Sequence, residues 1–244
     1  MSENPVVLVT GAGRRIGAAI ARQLHAQGWR LLLHARREAS EVSALAAALN
    51  AERAESAHPL LADLLDPAAC RGLVEAAAAR WGRLDALVNN ASSYRATPLA
   101  TVTPAQIEDL VGSNLRAPLL LAQAATRQPG FRAIVNLLDV HVRRVRPGFS
   151  AYLAAKAGLW TLTEVLALEL APQVRVNAVA PGHMIWASES QLSSPEQRAE
   201  LARIPLARLG GAEPVAQAVA FLLSPAADYL TGVVLPADGG LRLA

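Results

Sequence analysis

Short apolar runs, rich in valine, isoleucine and leucine, alternate with longer alanine-rich stretches along almost the whole chain. The apolar runs predict seven buried strands, at 5–10, 31–35, 57–62, 84–89, 132–138, 174–179 and 231–235. The stretches between them predict helices that end near residue 27 or span 39–53, 67–80, 103–127, 150–171 and 213–223. Continuous apolar strands separated by helices are typical of a parallel sheet covered on both faces. We therefore predict one α/β domain over residues 1–244, with a doubly wound seven-stranded parallel sheet.

One segment breaks this alternation. Residues 182–205 are rich in serine, glutamate and glutamine and show no regular period. Irregular segments of this length are uncommon in compact domains and are often functional lids. We predict that 182–205 covers a substrate-binding site.

Composition excludes several classes of function. The net charge is only +3 although the isoelectric point is about 9.6, and no basic stripe is present, so nucleic-acid binding is not expected. Apolar runs stay shorter than the roughly 18 residues that a membrane span needs. The single cysteine, Cys70, cannot form an internal disulfide. We predict a soluble cytoplasmic protein that binds neither nucleic acid nor membrane.

A glycine-rich loop, Thr10-Gly11-Ala12-Gly13-Arg14-Arg15-Ile16-Gly17, lies between the first predicted strand and the first helix. A doubly wound sheet binds a dinucleotide pyrophosphate at this junction, because glycine lets the backbone approach the phosphates at the helix N-terminus. The alternative is a loop that needs glycine for packing alone. The position at the first strand favours cofactor binding.

The end of the second strand predicts which dinucleotide is used. A carboxylate there would bind the ribose of NAD, whereas this chain has Arg36 and Arg37 after Ala35. Guanidinium groups suit a 2′-phosphate and predict NADPH. A solvated basic turn is the alternative, and Glu38 beside the arginines is unfavourable to a phosphate. Asp63, at the end of the third strand, is placed either to accept from the adenine amino group or to cap a turn.

Tyr152 and Lys156 form the most distinctive pair in the chain. Lys156 is the only lysine, and it lies four residues after Tyr152, so both side chains project from one face of a helix. An ammonium beside a phenol favours the phenolate, which predicts a lowered pKa for Tyr152. An exposed lysine beside a packed tyrosine is the alternative.

Further residues and short motifs along the chain are Asp63, Asn89-Asn90-Ala91, Asn114, Asn177, Pro181-Gly182 and Asp238-Gly239-Gly240. With the glycine loop and Tyr152…Lys156, they make the chain resemble the short-chain dehydrogenase/reductase family over essentially its whole length. The resemblance implies a single-domain Rossmann fold and a homotetramer. It also implies hydride transfer from nicotinamide, with Tyr152 as proton donor, Lys156 on the nicotinamide ribose and Asn114 holding a water in a proton relay.

Three departures from the usual family pattern look like its pteridine reductase branch. Arg15 replaces the middle glycine of the loop, Asp139 replaces the catalytic serine, and Ser92, Ser93 and Tyr94 follow Asn89-Asn90-Ala91. Tyr94 could stack on a flat pterin, Arg15 could reach both phosphate and pterin, and a carboxyl at Asp139 could accept from the pterin or pass a proton to Tyr152. The plain alternatives are a phosphate ligand, a core aromatic and a helix cap.

These arguments give a defined set of predicted site residues. The catalytic set is Asp139, Tyr152, Lys156 and Asn114. The NADPH-binding set is Gly11, Arg15, Ile16, Gly17, His34, Arg36, Arg37, Asp63, Leu64, Asn90, Ala91, Ser92, Tyr152, Lys156, Pro181 and Gly182. The substrate-binding set is Arg15, Ser92, Tyr94, Asp139, Tyr152, His183 and Trp186, although His183 fits a plain loop equally well. No metal site is predicted, because the histidines lack metal-ligand spacing.

The predicted reaction is the NADPH-dependent reduction of a dihydropterin (dihydromonapterin, dihydrobiopterin or dihydrofolate) to its tetrahydro form. Two alternatives remain at this stage. One is a short-chain carbonyl reductase in which Asp139 alters the proton relay, and the other is a non-catalytic NADPH sensor.

Overall fold

The structure, a computed structural model, describes residues 4–37, 39–184 and 195–244. Its strands are β1 (Val6–Val9), β2 (Arg30–Ala35), β3 (Ala57–Leu61), β4 (Ala86–Asn89), β5 (Ala133–Leu137), β6 (Arg175–Pro181) and β7 (Val234–Ala237). They form one sheet in the order β3-β2-β1-β4-β5-β6-β7, and every neighbouring pair is parallel. The predicted seven-stranded α/β fold is therefore confirmed.

Helices cover both faces of this sheet. They are α1 (Arg15–Ala26), α2 (Ala39–Glu52), α3 (Pro67–Trp81), α4 (Pro104–Val111), α5 (Ala117–Ala125), α6 (Ser150–Glu169), α7 (Pro195–Ala202) and α8 (Glu213–Leu223). Helices α1, α2 and α8 pack on one face and α3, α5 and α6 on the other. Because both faces are covered, β1, β2, β4, β5 and β6 are buried along nearly their whole length, which explains their continuous apolar sequences. The edge strands β3 and β7 are mostly half-buried.

The long helix predicted over 103–127 is interrupted in its middle. Thr103 caps α4 as predicted, through a capping box with Gln106. A π-helical turn over Gly112–Arg116 then separates α4 from α5. Pro118 has no N–H, so it cannot make the helical hydrogen bond to the carbonyl of Asn114. The irregular turn places Asn114 beside the loop that follows β4.

Two predicted segments differ in detail. The last strand begins at Val234 and not at residue 231. Before this point, side chains replace the main-chain ladder, because Thr231 accepts from the N–H of Val176 and Asn177 accepts from the N–H of Val233. Helix α7 lies within the segment predicted to be irregular. The lid assignment of 182–205 stays a prediction, since residues 185–194 lie outside the described part of the chain.

Candidate active site

The predicted site residues gather at the carboxyl edge of the sheet. The loop after β1, the residues after β4 and β5, and the end of β6 all meet there, beside the point between β1 and β4 where the order of the parallel strands reverses. Doubly wound sheets bind ligands at this edge, where the crossover helices leave a crevice. Two adjoining cavities occupy it, one of about 540 Å³ and one of about 260 Å³.

The glycine-rich loop has the backbone that phosphate binding requires. Gly11 has a φ of 62°, and a side chain on Gly17 would place its Cβ only 2.1 Å from the carbonyl oxygen of Gly11. Arg15 has a φ of 51°, so this arginine keeps the left-handed conformation of the glycine that usually occupies its place. That conformation costs an ordinary residue about 1 kcal/mol or more, which is consistent with a functional role for the side chain.

Buried polar side chains hold the loop in place. Asn90 donates through Nδ2 to the carbonyls of Thr10 and Gly11, at 2.8 and 2.9 Å. His34 accepts from the N–H of Gly11 at 3.2 Å through Nδ1, and its Nε2 lies 3.0 Å from the carbonyl of Ala62. Burial lowers the pKa of His34, in keeping with a neutral ring that donates from Nε2. His34 and Asn90 therefore line the larger cavity and also shape its loop.

The two arginines after β2 have different surroundings. Arg36 donates to Asp63 at 2.7 Å, and both side chains are about two-fifths exposed, at 42% and 40%. Desolvation works to raise the pKa of Asp63, but the hydrogen bond and charge of Arg36 outweigh it and lower that pKa. Arg37 is exposed, and Glu38 lies outside the described residues. Asp63 is thus the ion-pair partner of Arg36, and its role toward adenine stays a prediction.

The larger cavity collects most of the predicted cofactor residues. Its lining includes Gly11, Arg15, Ile16, Gly17, His34, Arg36, Asp63, Leu64, Asn90, Ala91 and Ser92. Arg37 is not part of this lining. The smaller cavity contains the other predicted groups, with Arg15, Ser92, Tyr94, Asp139, Tyr152, Lys156, Pro181 and Gly182 on its wall. Arg15, Ile16, Asn90, Ser92 and Tyr94 line both cavities, so the two are contiguous.

The smaller cavity brings the predicted catalytic side chains together. Tyr152 projects from α6 and donates its hydroxyl hydrogen to Oδ2 of Asp139, at 2.9 Å. Lys156, one turn further along α6, is 3% exposed, and its ammonium donates to the carbonyl of Leu137 at 2.8 Å. This is its one hydrogen bond within the described residues. Two donors of a buried ammonium remain, which fits the hydroxyl groups of a cofactor ribose.

The pKa of Tyr152 is raised and not lowered, which corrects the prediction from the sequence. Burial of the phenol is the largest cause, and the Asp139 carboxylate adds to it. Lys156 does not offset these causes, and its nitrogen lies 6.0 Å from the centre of the Tyr152 ring. Burial also lowers the pKa of Lys156, to about 8, with Asp139 acting in the opposite direction.

Asp139 stays acidic although it is buried. Burial alone would raise its pKa, but His141 lowers it through a side-chain hydrogen bond, its charge and its main-chain N–H, and the Tyr152 hydroxyl helps. His141 contacts Oδ1 of Asp139 through Nδ1 at 2.7 Å and through its N–H at 2.8 Å. The carboxylate therefore faces Tyr152 with one oxygen and His141 with the other. The main-chain contact also makes Asp139 the cap of a short 3₁₀ turn over Val140–Val142.

The side chain of Asn114 is occupied by protein groups. Its Oδ1 accepts from Ser92 at 2.7 Å, and its Nδ2 donates to the carbonyls of Ser93 and Leu110. The amide therefore ties the loop after β4 to the π-turn. A water in the predicted relay would instead bind the main-chain carbonyl of Asn114, which lacks its α-helical donor because residue 118 is proline.

Tyr94 lies at the mouth of both cavities. Its ring stacks on Phe149 with centroids 5.2 Å apart and meets the ring of Tyr152 edge-on at 4.9 Å. The residue is 57% exposed, so much of the ring is available to a ligand. This arrangement suits the predicted stacking on a flat substrate.

The remaining predicted substrate residues lie elsewhere. His183 lies 3.0 Å from Glu200 of α7 and lines a separate cavity beside His141. Trp186 lies outside the described residues. Gly182 approaches Asp238 so closely that a Cβ on Gly182 would lie 2.8 Å from the main chain of Asp238.

Three residues of the site were not in the predicted set. They are His141, which contacts Asp139, Phe149, which stacks on Tyr94, and Met184, which lines the smaller cavity. An aspartate that caps a turn accepts from the residue two positions later, and this pattern could have indicated His141.

Comparison with known proteins identifies relatives along nearly the whole chain. The family profile described as enoyl-(acyl carrier protein) reductase matches residues 11–242. The chain belongs to the short-chain dehydrogenase/reductase family. It is 38% identical to pteridine reductase 1 of Leishmania tarentolae, over 98% of this chain and 96% of that protein. It is 35% identical to the 3-oxoacyl-[acyl-carrier-protein] reductase of Escherichia coli K12, over 99% of this chain and 98% of that one.

The family membership makes this chain an oxidoreductase, and its relatives use nicotinamide cofactors. An uncharacterized oxidoreductase of Mycobacterium tuberculosis is similarly related, at 35% identity over 98% of this chain and 92% of its own length. Within the described ranges, no group of three or more metal-ligating side chains is present. No described helix combines the length and apolar character that crossing a bilayer requires.

Proposed function

We propose that this protein is an NADPH-dependent pteridine reductase that reduces a dihydropterin to the tetrahydropterin. The observation that carries the proposal is the 2.9 Å hydrogen bond between Tyr152 and the carboxylate of Asp139. The 38% identity to a pteridine reductase supports it. Dihydromonapterin, dihydrobiopterin and dihydrofolate share the reacting ring, so all three are candidate substrates.

Asp139 favours reduction of a C=N bond over reduction of a ketone. A ketone develops negative charge on its oxygen during hydride transfer, and an ionised carboxylate beside the proton donor would repel that oxyanion. The nitrogen of a C=N bond is basic enough to take up its proton before or during hydride transfer, so little negative charge develops beside the carboxylate, which can also accept from the amino edge of a pterin. The pKa of Asp139 lies below its ordinary value, so the group is ionised at neutral pH.

The remaining residues fit this reaction. NADPH supplies the hydride when it is bound. Tyr152 gives its hydroxyl proton to the substrate nitrogen, the buried Lys156 ammonium holds the cofactor ribose, and Tyr94 covers the exposed face of the pterin. Arg15, which lines both cavities, contacts the cofactor phosphate on one side and the pterin edge on the other.

The test is NADPH oxidation with three dihydropterins in parallel with a ketone panel and a 3-oxoacyl thioester. We expect turnover on at least one dihydropterin, loss of about 100-fold or more in Tyr152→Phe, and little activity on the carbonyl compounds. Turnover on carbonyl compounds alone would establish the second candidate, a carbonyl reductase, which the 35% identity to a 3-oxoacyl reductase favours. NADPH binding without any turnover would indicate a sensor.

Cofactor choice is tested separately. Each charge-assisted contact to a 2′-phosphate contributes about 1.5–3 kcal/mol, or roughly ten- to a hundredfold in affinity. Replacing Arg36 and Arg37 with alanine should raise KM for NADPH far more than KM for NADH. Arg71→Ala, on the exposed side of α3, is the matched control and should change neither constant. Equal use of both cofactors by the unmodified enzyme would contradict the assignment.

A further inference from the structure

His141 contacts the side of Asp139 that faces away from Tyr152. Its Nδ1 lies 2.7 Å and its main-chain nitrogen 2.8 Å from Oδ1, whereas the Tyr152 hydroxyl binds Oδ2 at 2.9 Å. The side chains of His141 and Asp139 are only 14% and 18% exposed. The imidazole therefore holds one carboxylate oxygen and leaves the other directed at the proton donor.

The imidazole of His141 also borders a third cavity, of about 180 Å³, which is separate from the two cavities of the active site. The ring centres of His141 and His183 lie 5.2 Å apart, and Nδ1 of His183 is 3.0 Å from Glu200. Val145 and Arg146 on the cavity wall are exposed, so solvent reaches this side of His141. His141 therefore lies between the catalytic carboxylate and a cavity that opens to solvent.

We propose that protonated His141 is a positioning residue that fixes Asp139 toward Tyr152 and balances the negative charge that Tyr152 acquires when it gives up its proton. The inference rests on Tyr152 as the proton donor and not on the identity of the substrate. In this step the O–H bond of Tyr152 breaks and a bond from hydrogen to the substrate heteroatom forms. The resulting phenolate takes its next proton from solvent, while the imidazolium keeps its own.

The charge balance explains why the step needs this residue. Without a cation at His141, proton transfer would leave a phenolate and a carboxylate in hydrogen-bond contact, and the repulsion between the two negative charges would oppose the transfer. With an imidazolium on Oδ1, part of the carboxylate charge is already offset before the phenolate forms. The lowered pKa of Asp139, which His141 causes against the effect of burial, agrees with this arrangement.

Several charged and titratable groups surround His141. Asp139 contacts it directly, and the cavity that it borders is also lined by Arg144, Arg146, His183, Glu200 and Arg203. Because Coulomb energy falls with distance, the contact with Asp139 is the strongest of these interactions. A purely structural role is the competing explanation, since the main-chain N–H of residue 141 alone would cap the 3₁₀ turn.

The experiment uses His141→Asn, which keeps an amide donor near the place of Nδ1 but cannot become charged. We expect kcat to fall about tenfold at neutral pH with KM for NADPH unchanged, and the decline of kcat as pH rises through the imidazole titration to disappear. His141→Ala, which also removes the donor, should fall further. His58→Asn, on the far strand β3, is the matched control and should keep the profile of the unmodified enzyme. Unchanged kcat and pH dependence in His141→Asn would overturn the proposal.

A second measurement needs no substrate and so separates this inference from the proposed function. The imidazole nitrogens of His141 can be observed by NMR in the intact chain and in Asp139→Asn. In the intact chain we expect a downfield, slowly exchanging Nδ1–H signal, and in Asp139→Asn a weaker one, because a charged acceptor 2.7 Å away is replaced by a neutral amide. The same Nδ1–H signal in both chains would show that the two groups are not coupled, and the proposal would then be wrong whatever the enzyme reduces.

Discussion

Replacing Asp139 with asparagine should lower the pKa of Tyr152. The substitution keeps the shape of the side chain but removes a charge 2.9 Å from the phenolic oxygen. Two unit charges at that distance repel by about 6 kcal/mol at an effective dielectric constant of about 20, and by about 1.4 kcal/mol in bulk water. The removal of this repulsion should therefore lower the pKa of Tyr152 by an amount that a titration resolves easily. Burial of the phenol, the larger cause, remains in the variant.

The titration can be followed by NMR of isotope-labelled tyrosine, with Tyr152→Phe identifying the resonance among the three tyrosines. Asp228→Asn is the matched control, because that exposed carboxylate lies next to Tyr229 in the sequence, far from Tyr152. It should leave the Tyr152 titration unchanged. The same Tyr152 pKa in the unmodified chain and in Asp139→Asn would refute the reasoning, because it would mean that the carboxylate is not ionised beside the phenol.

Three further variants test other parts of the site. Lys156→Arg should lose about 100-fold in turnover, because a planar fork cannot replace a compact buried ammonium, and near-normal steady-state rates would show that this lysine is incidental. Gly17→Ala should abolish NADPH binding measured by cofactor fluorescence, because the alanine Cβ would lie 2.1 Å from the carbonyl oxygen of Gly11. Gly72→Ala is its control and should bind normally, because a Cβ there meets no atom within 4 Å. Asp139→Ser should lower the rate of dihydropterin reduction by about 10²- to 10⁴-fold without a comparable loss in the rate of ketone reduction. Unchanged dihydropterin kinetics would remove the main chemical argument for a pterin substrate.

The sequence by itself determined the fold and the location of the site. Strand burial depends on local runs of apolar residues, which are read directly from the chain, and parallel topology follows from the alternation of strands and helices. The carboxyl ends of such strands converge at one edge, so the loop at Gly11, the residues after Asn89 and the pair Tyr152 and Lys156 could be expected to meet. Local patterns with a known geometry were sufficient for these conclusions.

Only the tertiary structure decided the electrostatics of the site. The pKa of Tyr152 depends on burial and on distances to groups that the sequence spacing does not give, and the Tyr152 hydroxyl proved to be in hydrogen-bond contact with Asp139. The pairing of Arg36 with Asp63 and of Asp139 with His141 likewise arises from packing across separate loops. Coulomb energies change steeply over a few ångströms and with exposure to water. Sequence spacing fixes which residues share a helix face, but it cannot fix these distances or the depth of burial that sets the sign of a pKa shift.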